Sequence, residues 1–172
     1  MAMLRTPGRA GAIVPAALLH QAISFSVAGE EYACDIALIQ EMIGWVEPKP
    51  MPDAAPFLRG VVNLRGTVTP VFDLGARFGR GQTTPSPTHV LIIVQIGGRP
   101  IALLVDAVLD ILDYDPAALS PPPALGRTIA EEYLTGMLAL PDSRIVALID
   151  LERLLAGPGQ PVTNRPAAAP GR

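Results

Sequence analysis

The chain has 172 residues and a net charge of −3, with no lysine- or arginine-rich run, so it lacks the positive footprint that nucleic-acid binding requires. Hydrophobic residues make up 49% and charged residues only 17%, yet no apolar run is long enough to span a bilayer, so no direct membrane insertion is expected. The single cysteine, Cys34, excludes an internal disulfide, a CxxC pair and a cysteine zinc cluster; inside "EYACDI" it reads as a buried structural thiol in a reducing, cytoplasmic setting.

Residues 1–20 carry Arg5, Arg9 and the apolar "AGAIVPAALL", which Pro15 interrupts. With no small-x-small cleavage site behind it, this segment reads as a flexible or weakly helical extension. His20-Gln21 lead straight into a strand, a glycine turn and a second strand, "ISFSVAGEEYACDI". A brief helical or irregular piece around Ala37-Leu38 comes next, then a short strand in "LIQEMI" and the proline-rich linker "GWVEPKPMPDAAP". A second hairpin follows from "GVVNL" and "TVTPVF", then a short helix, "DLGARF", with Asp73 as its N-cap.

The same series then returns: the hairpin "VLIIVQIGGRPIALLV", a brief helical or irregular piece around Asp106-Ala107, a short strand, a proline-rich linker, the hairpin "GMLAL" and "RIVALI", and the helix "DLERLL" capped by Asp150. Phe25–Ile43 aligns with Val94–Leu112 without a gap, at an offset of 69, which sets Glu41 against Asp110. The block from Phe57 aligns with the block from Tyr133 at an offset of 76, and at 77 after one extra residue in the turn. This is an internal duplication. About five short strands per copy predict an all-β chain of two small barrels or sandwiches, approximately 21–79 and 88–156 within a unit spanning 21–156, with exchange of strands between them allowed. Neither copy is long enough to bury a large core alone, so the two are expected to share one. Residues 157–172 read as a disordered Pro/Ala-rich tail.

Convergent catalytic groups are not evident. His20 and His89 sit in no ligand spacing and read as surface imidazoles. Glu30 and Glu31 fall on a turn, no G-x-S-x-G occurs, and "LGARFGRG" lacks the strand–loop–helix order of a phosphate cradle. Asp106, Asp110, Asp113 and Asp115 lack calcium-loop spacing and read as a solvated face. No catalytic, metal or cofactor residue is assigned, and function is expected on the surface. In "FLRGVVNLRGTVTPVFDL" the glycine and leucine positions recur in the second copy but Arg59 and Arg65 do not. Arg65 would project from a hairpin tip, either as a solvated turn residue or as a guanidinium for a carboxylate. Glu41 beside Ile39 would make a charge next to an apolar anchor, or simply a strand residue facing water. A small barrel using Arg59 and Arg65 for an anionic metabolite is an alternative that requires the two guanidiniums to converge.

These segments, from about Ser24 to Leu155, resemble the CheW-like domain family of chemotaxis coupling proteins, most specifically in "RGVVNLRGTVTPVFDL". The resemblance implies two pseudo-symmetric five-stranded SH3-like β-barrels on a shared apolar core, with short helices and no enzymatic activity. It implies an adaptor between the cytoplasmic tip of a chemoreceptor and the regulatory domain of a CheA-type histidine kinase, itself CheW-like, in the cytoplasm at membrane receptor arrays. Carried over by position, it assigns partner binding to Ile39, Glu41, Gly60, Arg65, Val90 and Leu91, with Arg59 at a commonly basic position. An adaptor of a pathway controlling twitching or gliding is the alternative within the family.

Overall fold

The computed structural model of the chain describes residues 3–5, 13–15, 18–122 and 133–156. The first copy forms β3 (His20–Val27), β4 (Glu30–Asp35), a single 3-10 turn at Ile36–Leu38, β5 (Ile39–Gly44), β6 (Leu58–Leu64), β7 (Thr67–Asp73) and helix α1 (Leu74–Arg77). The second forms β8 (Val90–Ile96), β9 (Arg99–Val105), β10 (Ala107–Tyr114), β11 (Leu134–Ala139), β12 (Ile145–Ile149) and helix α2 (Leu151–Ala156). Both aspartates cap as expected: Asp73 Oδ1 accepts from the Ala76 amide at 3.2 Å and Asp150 Oδ1 from the Arg153 amide at 3.1 Å. Ahead of them, β1 (Met3–Arg5) and β2 (Ile13–Pro15) pair as an antiparallel ribbon, where a flexible or weakly helical extension was expected. The expected tail at 157–172 lies outside the described residues.

The strands make two five-stranded sheets, ordered β10-β3-β4-β12-β11 and β5-β8-β9-β7-β6. Each sheet takes its central hairpin from the opposite copy. β3–β4 of the first copy completes the sheet of the second, and β8–β9 of the second completes that of the first. The joints are equivalent parallel contacts, Ala147 beside Tyr32 in one sheet and Val71 beside Ala102 in the other. The brief helical or irregular piece expected around Asp106-Ala107 is a bend at Asp106 alone, because Asp106 is the direct crossing from one sheet to the other. Its amide donates to the Ser26 carbonyl at 2.9 Å and its carboxylate accepts from the Ala28 amide at 2.8 Å.

Each sheet is drawn round on itself. The chain leaving β5 at one edge reaches β6 at the other, where Lys49 and Val61 exchange backbone hydrogen bonds of 2.8 and 2.9 Å. Ser120 and Met137 do the same in the second sheet, at 2.9 and 2.7 Å. Glycine is required at the first contact: a Cβ on Gly60, whose φ is +139°, would stand 2.1 Å from the Lys49 carbonyl oxygen. At the twin position, a Cβ on Gly136 would stand 3.1 Å from the Ser120 oxygen.

Side-chain alternation then divides the core. Ile92, Val94, Leu103 and Val105 face a large seam shared with Phe25, Tyr32, Phe72, Leu74, Leu151 and Leu154. Their neighbours Leu91, Ile93, Ala102 and Leu104 face a smaller cluster with Val62 and Val71 inside their own sheet. Ala22, Ala33, Leu112, Tyr114, Leu138 and Leu148 make the corresponding cluster in the other. Burial on both faces is why β8 and β9 read as continuous apolar runs rather than alternating ones. Cys34 is fully buried in the seam, and burial first, then the Asp35 charge, pushes its thiol up to about 12.

Candidate functional site

The β6–β7 hairpin turns on Arg65-Gly66, both with positive φ (52° and 85°), the two-residue turn that matches strand twist. The Gly66 amide donates to Asn63 Oδ1 at 2.8 Å, which holds the tip rigid. Arg65 is thereby thrown clear of the sheet with its side chain 76% exposed, and it pairs with Glu41 of β5 at 2.5 Å. β5 and β6 are the two edges of this sheet, so the ion pair bridges them. Glu41 reaches that place because Gln40 is an extra residue in β5: Ile39 lies opposite Val94 and Glu41 opposite Ile93. Beside the pair runs an open groove of about 430 Å³, lined by Gln40, Leu64, Thr67, Ile93, Gln95 and Pro100 among others. Gln95 Nε2 donates to Gln40 Oε1 at 2.6 Å across it.

The other expected residues lie elsewhere. The extra residue of β6 is Arg59, since Leu58 opposes Phe72 and Gly60 opposes Val71. Its side chain turns inward: Nη1 donates to the Thr83 carbonyl at 2.9 Å, lies 3.5 Å from the fully buried Asp73, and the guanidinium sits 5.9 Å from the centre of the Trp45 ring. Asp73 also accepts from the Thr83 amide and hydroxyl, both at 2.7 Å. Arg59 and Arg65 are thus each taken by their own carboxylate rather than converging on one anion site. Gly60 is where the backbone is approached most closely, and Leu91 has no exposed surface. Ile39 and Val90 are half-buried against the seam.

Sequence reasoning missed Gln40 and Gln95, whose signal was only polarity within an apolar strand, and it missed a counterpart to Arg65. That counterpart is Arg144, in the longer β11–β12 loop. It contacts Asp142 at 2.7 Å, Asp110 at 3.0 Å and Glu31 at 3.3 Å. Asp110 is the twin of Glu41, so an edge-to-edge ion pair recurs, although its guanidinium comes from the twin of Thr67 rather than of Arg65. Glu31 is the twin of Pro100, a groove wall in the first sheet. Hydrogen bonding to Asp110, then to Asp142, raises the Arg144 pKa further. Partial desolvation pushes the Asp142 carboxyl upward, but hydrogen bonds from the Arg144 amide and side chain outweigh it and hold the carboxyl below its usual range.

The aspartates read as a solvated face all have partners: Asp106 and Asp110 as above, Asp113 with the Gln21 amide, and Asp115 capping the Ala117 amide. His89 is half-buried rather than at the surface. Its Nδ1 accepts from the Ser86 amide at 2.9 Å and its Nε2 lies 3.4 Å from Asp106, which fixes the turn before β8. Among the described residues no group of His, Cys, Asp and Glu could hold a metal ion, and no helix is long and apolar enough to cross a membrane.

Two pseudo-symmetric five-stranded sheets, exchanged hairpins and a common seam define a duplicated SH3-like β-barrel protein. Residues 21–158 match the family model described as the CheW-like domain, and the chain belongs to that family. It is 35% identical over 137 residues to the probable chemotaxis protein CheW of Rhizobium etli, covering 80% of this chain and 88% of that one. It is 35% identical over 132 residues to the chemotaxis protein CheW of Klebsiella aerogenes, covering 77% and 79%. The crystal structure of the scaffolding protein TtCheW from Thermoanaerobacter tengcongensis superimposes with a TM-score of 0.73 at 32% identity, covering 83% of this chain and 96% of that chain. A more distant relative, the protein FrzA of Myxococcus xanthus, is 29% identical over 106 residues, covering 62% and 66%.

Proposed function

We propose that this chain is a non-catalytic adaptor of a bacterial chemosensory array, coupling chemoreceptor tips to the regulatory domain of a CheA-type histidine kinase, with the groove beside Glu41 and Arg65 as a docking face. The observation that carries this reading is the asymmetry between twins. The duplication builds the same edge-to-edge bridge twice, but at one end a groove stands open beside an exposed guanidinium, and at the other Arg144 spans the equivalent walls. The names of the CheW relatives and of the scaffolding structure support the chemotactic setting. Arg65 presents a fork suited to a partner carboxylate, and Leu64 and Ile93 supply apolar contact. A preformed face keeps the ordering cost of association low. Ile39 and Val90 support that face from the seam, and Leu91 and Gly60 through packing and backbone geometry. Arg59 holds the base of the hairpin.

Reconstitution with a CheA-type kinase and a receptor fragment tests the proposal. Arg65→Ala and Glu41→Ala are expected to weaken complex formation or kinase control while the melting curve stays put. Full assembly and control with both variants would overturn it. The FrzA match supports a second reading, an adaptor of a pathway governing twitching or gliding, which pull-downs against kinases of each pathway would separate.

A further inference from the structure

Arg77 is the charged residue of α1, and it is buried in the seam. Its Nε and Nη2 both donate to the carbonyl oxygen of Leu154 in α2, each at 3.1 Å. The guanidinium lies 4.7 Å from the centre of the Phe57 ring and 4.7 Å from that of Tyr133. Among the described residues no carboxylate forms an ion pair with it. In the register of the duplication Arg77 is the twin of Leu154, and Phe57 is the twin of Tyr133. The guanidinium therefore sits at the pseudo-two-fold axis, midway between two twin rings and bonded to the backbone of its own twin. The surroundings are built alike on both sides: the Phe57 carbonyl accepts from the Asp73 amide at 2.7 Å, and the Tyr133 carbonyl from the Asp150 amide at 2.8 Å.

A slot on a two-fold axis has room for one cation. We propose that this slot is a pairing-specificity site, which lets a first half join a second half and rejects like halves, including those of a second copy of this chain. Two first halves would bring two guanidiniums into one desolvated space with no carboxylate among the described residues to offset them. Two second halves would set leucine against leucine and leave the carbonyls without their charged donor. One of each gives the cation a carbonyl and two ring faces, and leaves the Leu154 side chain in the apolar seam.

The symmetry of the slot makes the idea testable in the full chain. Leu154→Arg alone is expected to abolish cooperative melting or to lower its midpoint by about 10 °C or more. Combining it with Arg77→Leu should recover most of that loss, because the guanidinium introduced at position 154 meets the carbonyl of residue 77 between the same two rings. A role in packing alone predicts instead that the two changes add. Arg77→Leu alone should refold from denaturant with a larger dimer fraction than the unaltered chain, rising with concentration in sedimentation velocity, because like halves are no longer rejected. The proposal falls if the double variant is no more stable than Leu154→Arg, if Leu154→Arg melts like the unaltered chain, or if Arg77→Leu refolds without added dimer.

Discussion

The hairpin tips β6–β7 and β11–β12 descend from one design and end differently. The first turns in two residues, throws Arg65 outward and leaves a groove. The second has a longer loop, and Arg144 fills the corresponding space by bonding three carboxylates. Elements common to both hairpins, such as the glycine under the closing bridge, are what the architecture needs. What differs between them is free for recognition.

The largest expected effect tests the shared part. Gly60→Ala places a methyl group into a backbone carbonyl at a φ that L-residues avoid, and should cost about 3 kcal/mol or more, read as a lower urea midpoint. Gly136→Ala, where the contact is 3.1 Å and partly to a side chain, should cost nearer 1 kcal/mol. Equal losses at the two glycines would mean that the closing bridges are not stressed as their geometry implies.

Next comes the part that differs. Thr67 is the twin of Arg144, so Thr67→Arg should copy the clamp onto Glu41 and block the groove. Binding to the kinase or receptor fragment should weaken about tenfold with no loss of thermal stability. Unchanged binding would place the docking face elsewhere. The converse change, Arg144→Ala, should speed amide exchange in residues 140–144 while leaving the first tip as it was, because the clamp is local.

The smallest effect concerns pH. The Asp142 carboxyl titrates below its ordinary value in the folded chain, so its contribution is complete above about pH 4 and is lost as pH falls through the lowered pKa. Acid should therefore loosen the 140–144 loop first, visible as shifted backbone resonances there before any change around Arg65. Simultaneous changes at both tips would show that the clamp is not what sets them apart.

Much of this was legible in the chain. Glycine turns and apolar alternation located the hairpins, and Asp73 and Asp150 announced their helices. The duplication itself is a matter of register, which sequence carries well. Partner choice among strands is not, because every apolar strand here pairs acceptably with several others. Hence exchange between the copies could be allowed for, but that β3–β4 trades places with β8–β9 showed only in three dimensions. Bulges hid the roles of the arginines: one extra residue in β6 turned Arg59 inward onto Asp73, which regular alternation could not foresee. Arg144 escaped notice because a loop of different length supplies the same charge from a different position. Leu91 shows the limit of carrying residues over by position, since a fully buried side chain can influence docking only through the shape of its neighbours.

The swap of central hairpins also bears on how the protein is made. β9 meets β7 early in the second copy, but β4 waits for β12 near its end. The sheet β5-β8-β9-β7-β6 draws only on residues 39–105 and can close while the remainder of the second copy is still being made, whereas β10-β3-β4-β12-β11 needs residues 20–149 and must close last. Such long-range pairing favours slow folding and leaves the apolar strands β3 and β4, the first strands of the two sheets to be made, in the open for a time, a window in which chaperones would be welcome.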